Sequence, residues 1–197
     1  QNLGESTPEF PVPDMVPTIA SRVKHKLKIE NPYTVCFDLP FGCPGWLQGA
    51  IIADYFIKSG DAKRILVIGA EILSRVSDPH DMDCMIFADG AGAALLEATE
   101  EDAGIVCHVA RSDTLKEAYL LRLGKSYNPF KPGNDLFVKM DGHAIYKYAL
   151  KTVPLAIKKN LEKAGLHLND VKKVLIHQAN EKMDAAIVKR LFGLFGM

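Results

Sequence analysis

The chain has 197 residues, 48% hydrophobic and 24% charged, the balance of an ordinary globular protein able to bury a core. Its 24 Lys and Arg offset 24 Asp and Glu, which argues against a nucleic-acid binder or a membrane-surface protein acting through a whole-molecule field. No stretch reaches the roughly 18 uncharged apolar residues that cross a bilayer, and Gln1-Asn2-Leu3-Gly4-Glu5 is not a basic segment leading into an apolar one. A cytoplasmic chain is expected, with no nucleic-acid or membrane partner.

Pro8, Pro11, Pro13 and Pro17 make residues 1–17 an irregular lead-in, followed by a short helix over Thr18 to Lys28. Tyr33 to Leu39 is β-branched and aromatic enough for a buried strand, which Pro40-Phe41-Gly42 interrupts. Leu47, Ala50, Ile51, Asp54, Tyr55, Ile57 and Lys58 give a helical stripe from Trp46 to Ser59 that stops at Gly60. Arg64 to Ala70 is almost uninterruptedly apolar, as in a parallel strand covered on both faces. Strand, turn, helix, strand is the unit expected here, with a right-handed crossover.

A loop over Ser77 to Asp83 leads to Met85 to Leu96, whose small residues would let another backbone pass close by. Gly90-x-Gly92 lacks the third glycine and helix start of a dinucleotide fingerprint, so no nucleotide site is expected. Ile105 to Ala110 is a further expected strand, and Lys125 to Asn134 a loop. A long helix follows from about Asp141 to Lys163, with Pro154 predicting a kink and Gly165 closing it. Val171 to Ile176 reads as a short strand and Glu181 to Leu191 as an amphipathic helix. The strand, turn, helix order thus recurs, and the expected fold class is α/β with two similar halves.

Four cysteines at 36, 43, 84 and 107 form no Cys-x-x-Cys pair, and the six histidines lack metal-ligand spacing, so reduced thiols and no metal are expected. Cys43 stands where an apolar segment hands over to a helix. The partial positive charge of a helix N-terminus favours the thiolate, which fits a nucleophile; a small apolar residue filling a turn fits the position as well. His177 occupies the corresponding place in the second half, where Val174-Leu175-Ile176 ends and Gln178-Ala179-Asn180 leads into a helix. Ligands gather at the carboxyl ends of strands in such sheets, so Cys43 and His177 fit one cavity, while His177 also fits a structural histidine. Cys36, Cys84 and Cys107 read as packing.

Four blocks, Asp38-Leu39-Pro40-Phe41-Gly42-Cys43-Pro44-Gly45, Ile86 to Ala94, Met140-Asp141-Gly142-His143 and His177-Gln178-Ala179-Asn180, stand in order along nearly the whole chain. In order and rough spacing they resemble β-ketoacyl-acyl carrier protein synthase III, a condensing enzyme of the thiolase fold. The resemblance implies a thiolase-like architecture with mixed sheets and a buried helix layer, incomplete at both ends. Its N-terminal half would be 1–110, carrying the cysteine, and its C-terminal half 111–197, carrying the histidine. It implies that Cys43 takes an acyl group from acyl-coenzyme A, and that the acyl-enzyme condenses with malonyl-acyl carrier protein as carbon dioxide leaves, beginning fatty-acid synthesis. Coenzyme A thioester and carrier-protein phosphopantetheine are then substrates, and no cofactor is implied.

The same resemblance makes His177 the group that stabilises the enolate. The family's third catalytic group, an asparagine downstream of the histidine, has no counterpart before Met197, and Asn180 does not replace it. The central portion of a synthase is therefore expected, with little condensing activity of its own. Leu73, Phe87 and Val138 match positions lining the acyl tunnel, and Gly142, Ala179 and Asn180 positions touching the pantetheine arm. Met82 replaces an arginine that stacks on the adenine of coenzyme A, which leaves the donor open. Met15 or Val16 matches a segment reaching into a partner's tunnel, implying a homodimer. Lys182, Lys189 and Arg190, seven and eight residues apart on one helix, project over roughly a quarter of its circumference and match the landing site of the acidic carrier protein. The alternatives are a related acyltransferase of secondary metabolism, a hydroxymethylglutaryl-coenzyme A synthase-like enzyme, or a noncatalytic partner subunit.

Overall fold

The computed structural model describes residues 15–130 and 135–197; the lead-in prolines Pro8, Pro11 and Pro13 and the end of the 125–134 loop lie outside them. Packing divides the chain into two compact units, one running to Arg75 and including Ala88–Ala98, the other comprising Val76–Phe87 and Thr99–Met197. A cut at 110/111 and this division place 76–87 and 99–110 differently.

The first unit begins with helix α1 (Ile19–Lys26), whose N-cap Thr18 accepts a hydrogen bond from the Ser21 amide at 3.2 Å. Helix α2 (Gly45–Ser59) ends where expected, at Gly60, whose φ of 83° is a left-handed conformation that a side chain would strain. Strands β1 (Arg64–Ile72) and β2 (Asp89–Glu97) form an antiparallel pair, in register from Arg64↔Glu97 to Ile72↔Asp89. Helix α2 lies close against β1 because glycine stands at the contact: a Cβ at Gly49 would come within 2.9 Å of Val67 Cγ1. Trp46 closes the same contact from the helix side, 3.4 Å from where a Cβ on Gly69 would be. Ala50, Ala53 and Val67 are buried.

Two expectations for this unit are corrected. The apolar run from Arg64 is not a parallel strand covered on both faces: it pairs antiparallel, and while Val67 is buried, Leu66, Ile68 and Ile72 are exposed. One face meets α2; the other is uncovered among the described residues. Residues 33–39 form no strand either, because β-propensity becomes a strand only when a neighbour accepts and donates the ladder bonds. The Lys24 ammonium instead bonds the carbonyls of Asn31 and Thr34, each at 2.8 Å, and ties this segment to α1. The expected strand, helix, strand crossover is therefore reduced to α2 and β1. Gly90 and Gly92, expected to admit a close backbone, have among the described residues no atom, beyond their chain neighbours, within 4 Å of where a Cβ would stand.

In the second unit β3 (Leu121–Gly124) and β4 (Phe137–Met140) pair antiparallel from Leu121↔Met140 to Gly124↔Phe137. Helix α3 (Gly142–Ala164) starts at Asp141, whose side chain accepts from the Ala144 amide at 3.0 Å, and ends at Gly165 with φ 67°. The helix runs on through Pro154, which is buried. Helix α4 (Glu181–Gly193) packs on α3, and Leu161, Leu168 and Leu191 form a core flanked by Ile157, Val171 and Phe195. The strands expected over 105–110 and 171–176 are not formed, for the same lack of a ladder partner among the described residues; Leu175 is 88% exposed. Conversely β3 and β4, four residues each, are too short for alternation to reveal them.

Candidate active site

Cys43 lies in the turn that enters α2, held by the bond from the Gly45 amide to the Gly42 carbonyl at 2.8 Å. Its side chain is exposed and forms no disulfide. The N-cap position after it is Pro44, which contributes no amide, and among the described residues no side chain caps the first turn of α2. The approach to Cys43 is anchored at Asp38, whose carboxylate accepts from the Ile19 and Ala20 amides at 2.8 and 2.9 Å. One carboxylate thus caps α1 and fixes the segment leading to the thiol.

His177 is exposed in the irregular segment just before α4. Asn180 is the N-cap of that helix: its side-chain oxygen accepts from the Met183 amide at 2.9 Å, which orients the whole His177-Gln178-Ala179-Asn180 turn. A shallow open groove beside it is lined by Ile176, Gln178, Asn180, Asp184, Val188 and Lys189. Asp184 Oδ1 is buried there without a hydrogen-bond partner among the described residues. Lys182, Lys189 and Arg190 are all exposed on α4, and Ala179 is half-buried. Cys43 and Leu73 belong to the first unit; His177 and the remaining expected site residues belong to the second.

Leu73 is half-buried in a short 3-10 turn, Leu73–Arg75. Phe87, also half-buried, follows a second such turn, Met82–Ile86; Val138 is buried on β4, and Gly142 opens α3. The segments that carry these last three are adjacent. The Val138 amide donates to the Val76 carbonyl at 2.8 Å, and a Cβ on Gly142 would stand 3.8 Å from Asp83 Oδ2. The segment carrying Phe87 therefore runs beside the one carrying Val138 and Gly142.

Between them sits a buried ionic cluster that sequence patterning did not single out. Asp78 is fully buried and accepts from Lys139 Nζ (2.6 Å), the Tyr127 amide (2.8 Å), Ser126 Oγ (2.9 Å) and the His80 amide (3.1 Å). Lys139, 2% exposed, also donates to Asp81 at 3.0 Å, and its ammonium lies 3.5 Å from the centre of the Tyr127 ring. The available signal was a lysine inside the apolar run Phe137-Val138-Lys139-Met140, which nothing but paired acids would hold there. Burial pushes the Asp78 carboxyl up, but the bonds from Lys139, Tyr127, His80 and Ser126 outweigh it and hold it well below the ordinary 3.8. For Lys139 burial pushes down, and the two carboxylates more than reverse it, raising it above 10.5.

These directions set a pH dependence. A carboxyl depressed on folding contributes stability that is present above its unfolded value and lost as pH falls through the folded one, so Asp78 stabilises the protein above about pH 3.8. Lys139 contributes below 10.5 and drops out only in strong alkali. Asp78→Asn is expected to lower the melting temperature by several degrees near neutrality, with the gap to the parent narrowing in melts taken progressively below pH 3.8. A gap of constant size across that range would contradict the assignment.

Cys107 donates to Asn160 at 3.3 Å and Cys36 to the Thr34 carbonyl at 3.7 Å, so both are engaged locally. Among the described residues no group of three or more His, Cys, Asp or Glu is placed to hold a metal ion, and no helix is long and apolar enough to cross a membrane.

Comparison with known proteins agrees with the order of these features. A model of the family 3-oxoacyl-[acyl-carrier-protein] synthase III matches residues 37–114, which include Cys43 and the 86–94 block. The β-ketoacyl-[acyl-carrier-protein] synthase III of Clostridium perfringens is 37% identical over 183 residues, covering 90% of this chain and 56% of that protein. The synthase III of Koribacter versatilis is 38% identical over 197 residues, covering 96% and 57%. The crystal structure of 3-oxoacyl-[acyl-carrier-protein] synthase III from Aquifex aeolicus superposes with a TM-score of 0.79 at 32% identity, covering 91% of this chain and 55% of that one. The fold is thus the expected α/β thiolase-like one, and the chain spans little more than half the length of these relatives. On this sequence and structural likeness, the chain is similar over nine-tenths of its length to somewhat more than half of a β-ketoacyl-acyl carrier protein synthase III.

Proposed function

We propose that the protein carrying this sequence is a cytoplasmic β-ketoacyl-acyl carrier protein synthase III that initiates fatty-acid synthesis. The observation that carries the proposal is the exposed Cys43 at the uncapped start of α2. In the reaction, the Cys43 sulfur attacks the carbonyl of an acyl-coenzyme A, the carbon–sulfur bond to Cys43 forms, and coenzyme A leaves as its thiolate. Negative charge develops on the carbonyl oxygen as this happens, and backbone amides at the positive end of α2 are suited to receive it. Malonyl-acyl carrier protein then binds and loses carbon dioxide. The electron pair of the broken bond becomes an enolate, whose oxygen His177 stabilises, and its carbon attacks the acyl-Cys43 carbonyl; the carbon–sulfur bond breaks, releasing the ketoacyl product and the Cys43 thiolate.

Leu73, Phe87 and Val138 would face the acyl chain, Gly142, Ala179 and Asn180 the pantetheine arm, and no further cofactor is required. Lys182, Lys189 and Arg190 would receive the acidic carrier protein; their exposure on one helix supports it. A homodimer completes the proposal, supported by Met15 and Val16, which are 57% and 82% exposed.

Intact-mass spectrometry after incubation with acyl-coenzyme A thioesters of graded length tests the assignment. A single adduct of acyl mass, mapped to Cys43, is the expected result; no adduct with any donor would refute it. Reversing charge at Lys182 and Arg190 together is expected to raise KM for malonyl-acyl carrier protein by about tenfold or more and leave acylation by a small thioester intact. Equal losses in the two assays would mean that these residues support folding instead.

A further inference from the structure

We propose that Lys139 is a positioning residue for the substrate site: its buried ammonium clamps the 76–87 segment, which carries Phe87, to the strand and helix start that carry Val138 and Gly142. The proposal goes beyond the synthase function above and rests on it.

The geometry is two bonded attachments and one close approach within one compact unit. At one end the Val138 amide bonds the Val76 carbonyl at 2.8 Å. In the middle, Lys139 Nζ reaches Asp78 at 2.6 Å and Asp81 at 3.0 Å, two acids three positions apart in a segment that otherwise has only a single 3-10 turn. At the other end Asp83 approaches Gly142. Asp78 also gathers the amides of His80 and Tyr127 and the hydroxyl of Ser126, so one carboxylate orders both the 77–83 loop and the strand-flanking 126–127 turn.

A buried lysine with two acids is a poor way to gain stability, because desolvating three charges consumes most of what their attraction returns. An apolar side chain at 139 would suit the neighbours Phe137 and Val138, which are buried themselves. What the charges supply is direction: two short, fixed bonds set the height of the loop against β4, which an apolar contact would let slide. A loop held this way places Phe87 and Val138 at a fixed separation. Loss of the clamp therefore shifts the walls of an acyl site without touching Cys43, which lies in the other unit.

The test uses the native polypeptide that carries this sequence, as parent, Lys139→Met and Lys139→Arg. Lys139→Met keeps the stem and removes the charge; it is expected to raise KM for the acyl-coenzyme A donor by about tenfold while kcat changes by no more than about threefold. Amide hydrogen exchange over 77–87 should quicken in the same variant, and Cys43 alkylation by iodoacetamide should proceed at the parental rate. Lys139→Arg, retaining the charge, should recover most of the KM. Should Lys139→Met fail to fold, Asp81→Asn removes only one of the two ion pairs, with an expected KM rise of about threefold. Unchanged KM, unchanged exchange over 77–87, or a fall in kcat with KM constant would each overturn the clamp. A parent that accepts no acyl group at Cys43 would overturn the synthase function instead, with the exchange experiment still deciding whether Lys139 holds the loop.

Discussion

Cys43→Ser is expected to lose acyl transfer by about 1000-fold or more, and with it any mass adduct from an acyl-coenzyme A donor. Serine keeps the size and the turn but has no accessible anion near neutral pH, so it cannot attack the thioester carbonyl. The side chain is exposed and the turn is held by a backbone bond between Gly45 and Gly42, so the melting temperature should not move. That separation of chemistry from stability makes the variant informative. A Cys43→Ser protein that melts normally and still acquires one acyl group would shift the nucleophile elsewhere. The other thiols are then the ones to map, although Cys36 and Cys107 are each engaged with a carbonyl.

The parts of the fold that could be read from sequence are those whose physics is local. α2 stops at Gly60 and α3 at Gly165 because each needs a left-handed residue to turn the chain, and glycine announces that need in the sequence. Asp141 and Asn180 cap α3 and α4 within three residues of themselves. Strands fail where the missing information is non-local: residues 33–39, 105–110 and 171–176 have the composition of strands and no ladder partner among the described residues. β1 was recognisable as a strand from its apolar run, but its antiparallel pairing with β2 depends on a segment 25 residues further along the chain.

The candidate site divides in the same way. Cys43 and His177 could be singled out because each stands where a helix begins, a position with its own sequence signature. The Lys139 cluster could not, since Asp78 and Asp81 look like ordinary loop acids until a lysine 58 to 61 positions away is brought between them. Asp38 is similar: an acid at the end of an apolar run acquires its meaning from amides 18 and 19 positions earlier.

His177→Ala separates the two halves of the proposed reaction. The imidazole acts on the enolate, which exists only after decarboxylation, so acylation of Cys43 should proceed while condensation falls by about 100- to 1000-fold, the usual cost of removing one donor from a developing oxyanion. Stability offers no competing explanation. His177 is exposed in an irregular segment, and the adjoining helix is capped by Asn180, whose bond to the Met183 amide does not involve the imidazole. The measurement is made on one preparation: acyl adduct by intact mass, then ketoacyl product after adding malonyl-acyl carrier protein. Undiminished condensation would remove His177 from the chemistry. Loss of both steps together would place the imidazole earlier, as the base that readies Cys43.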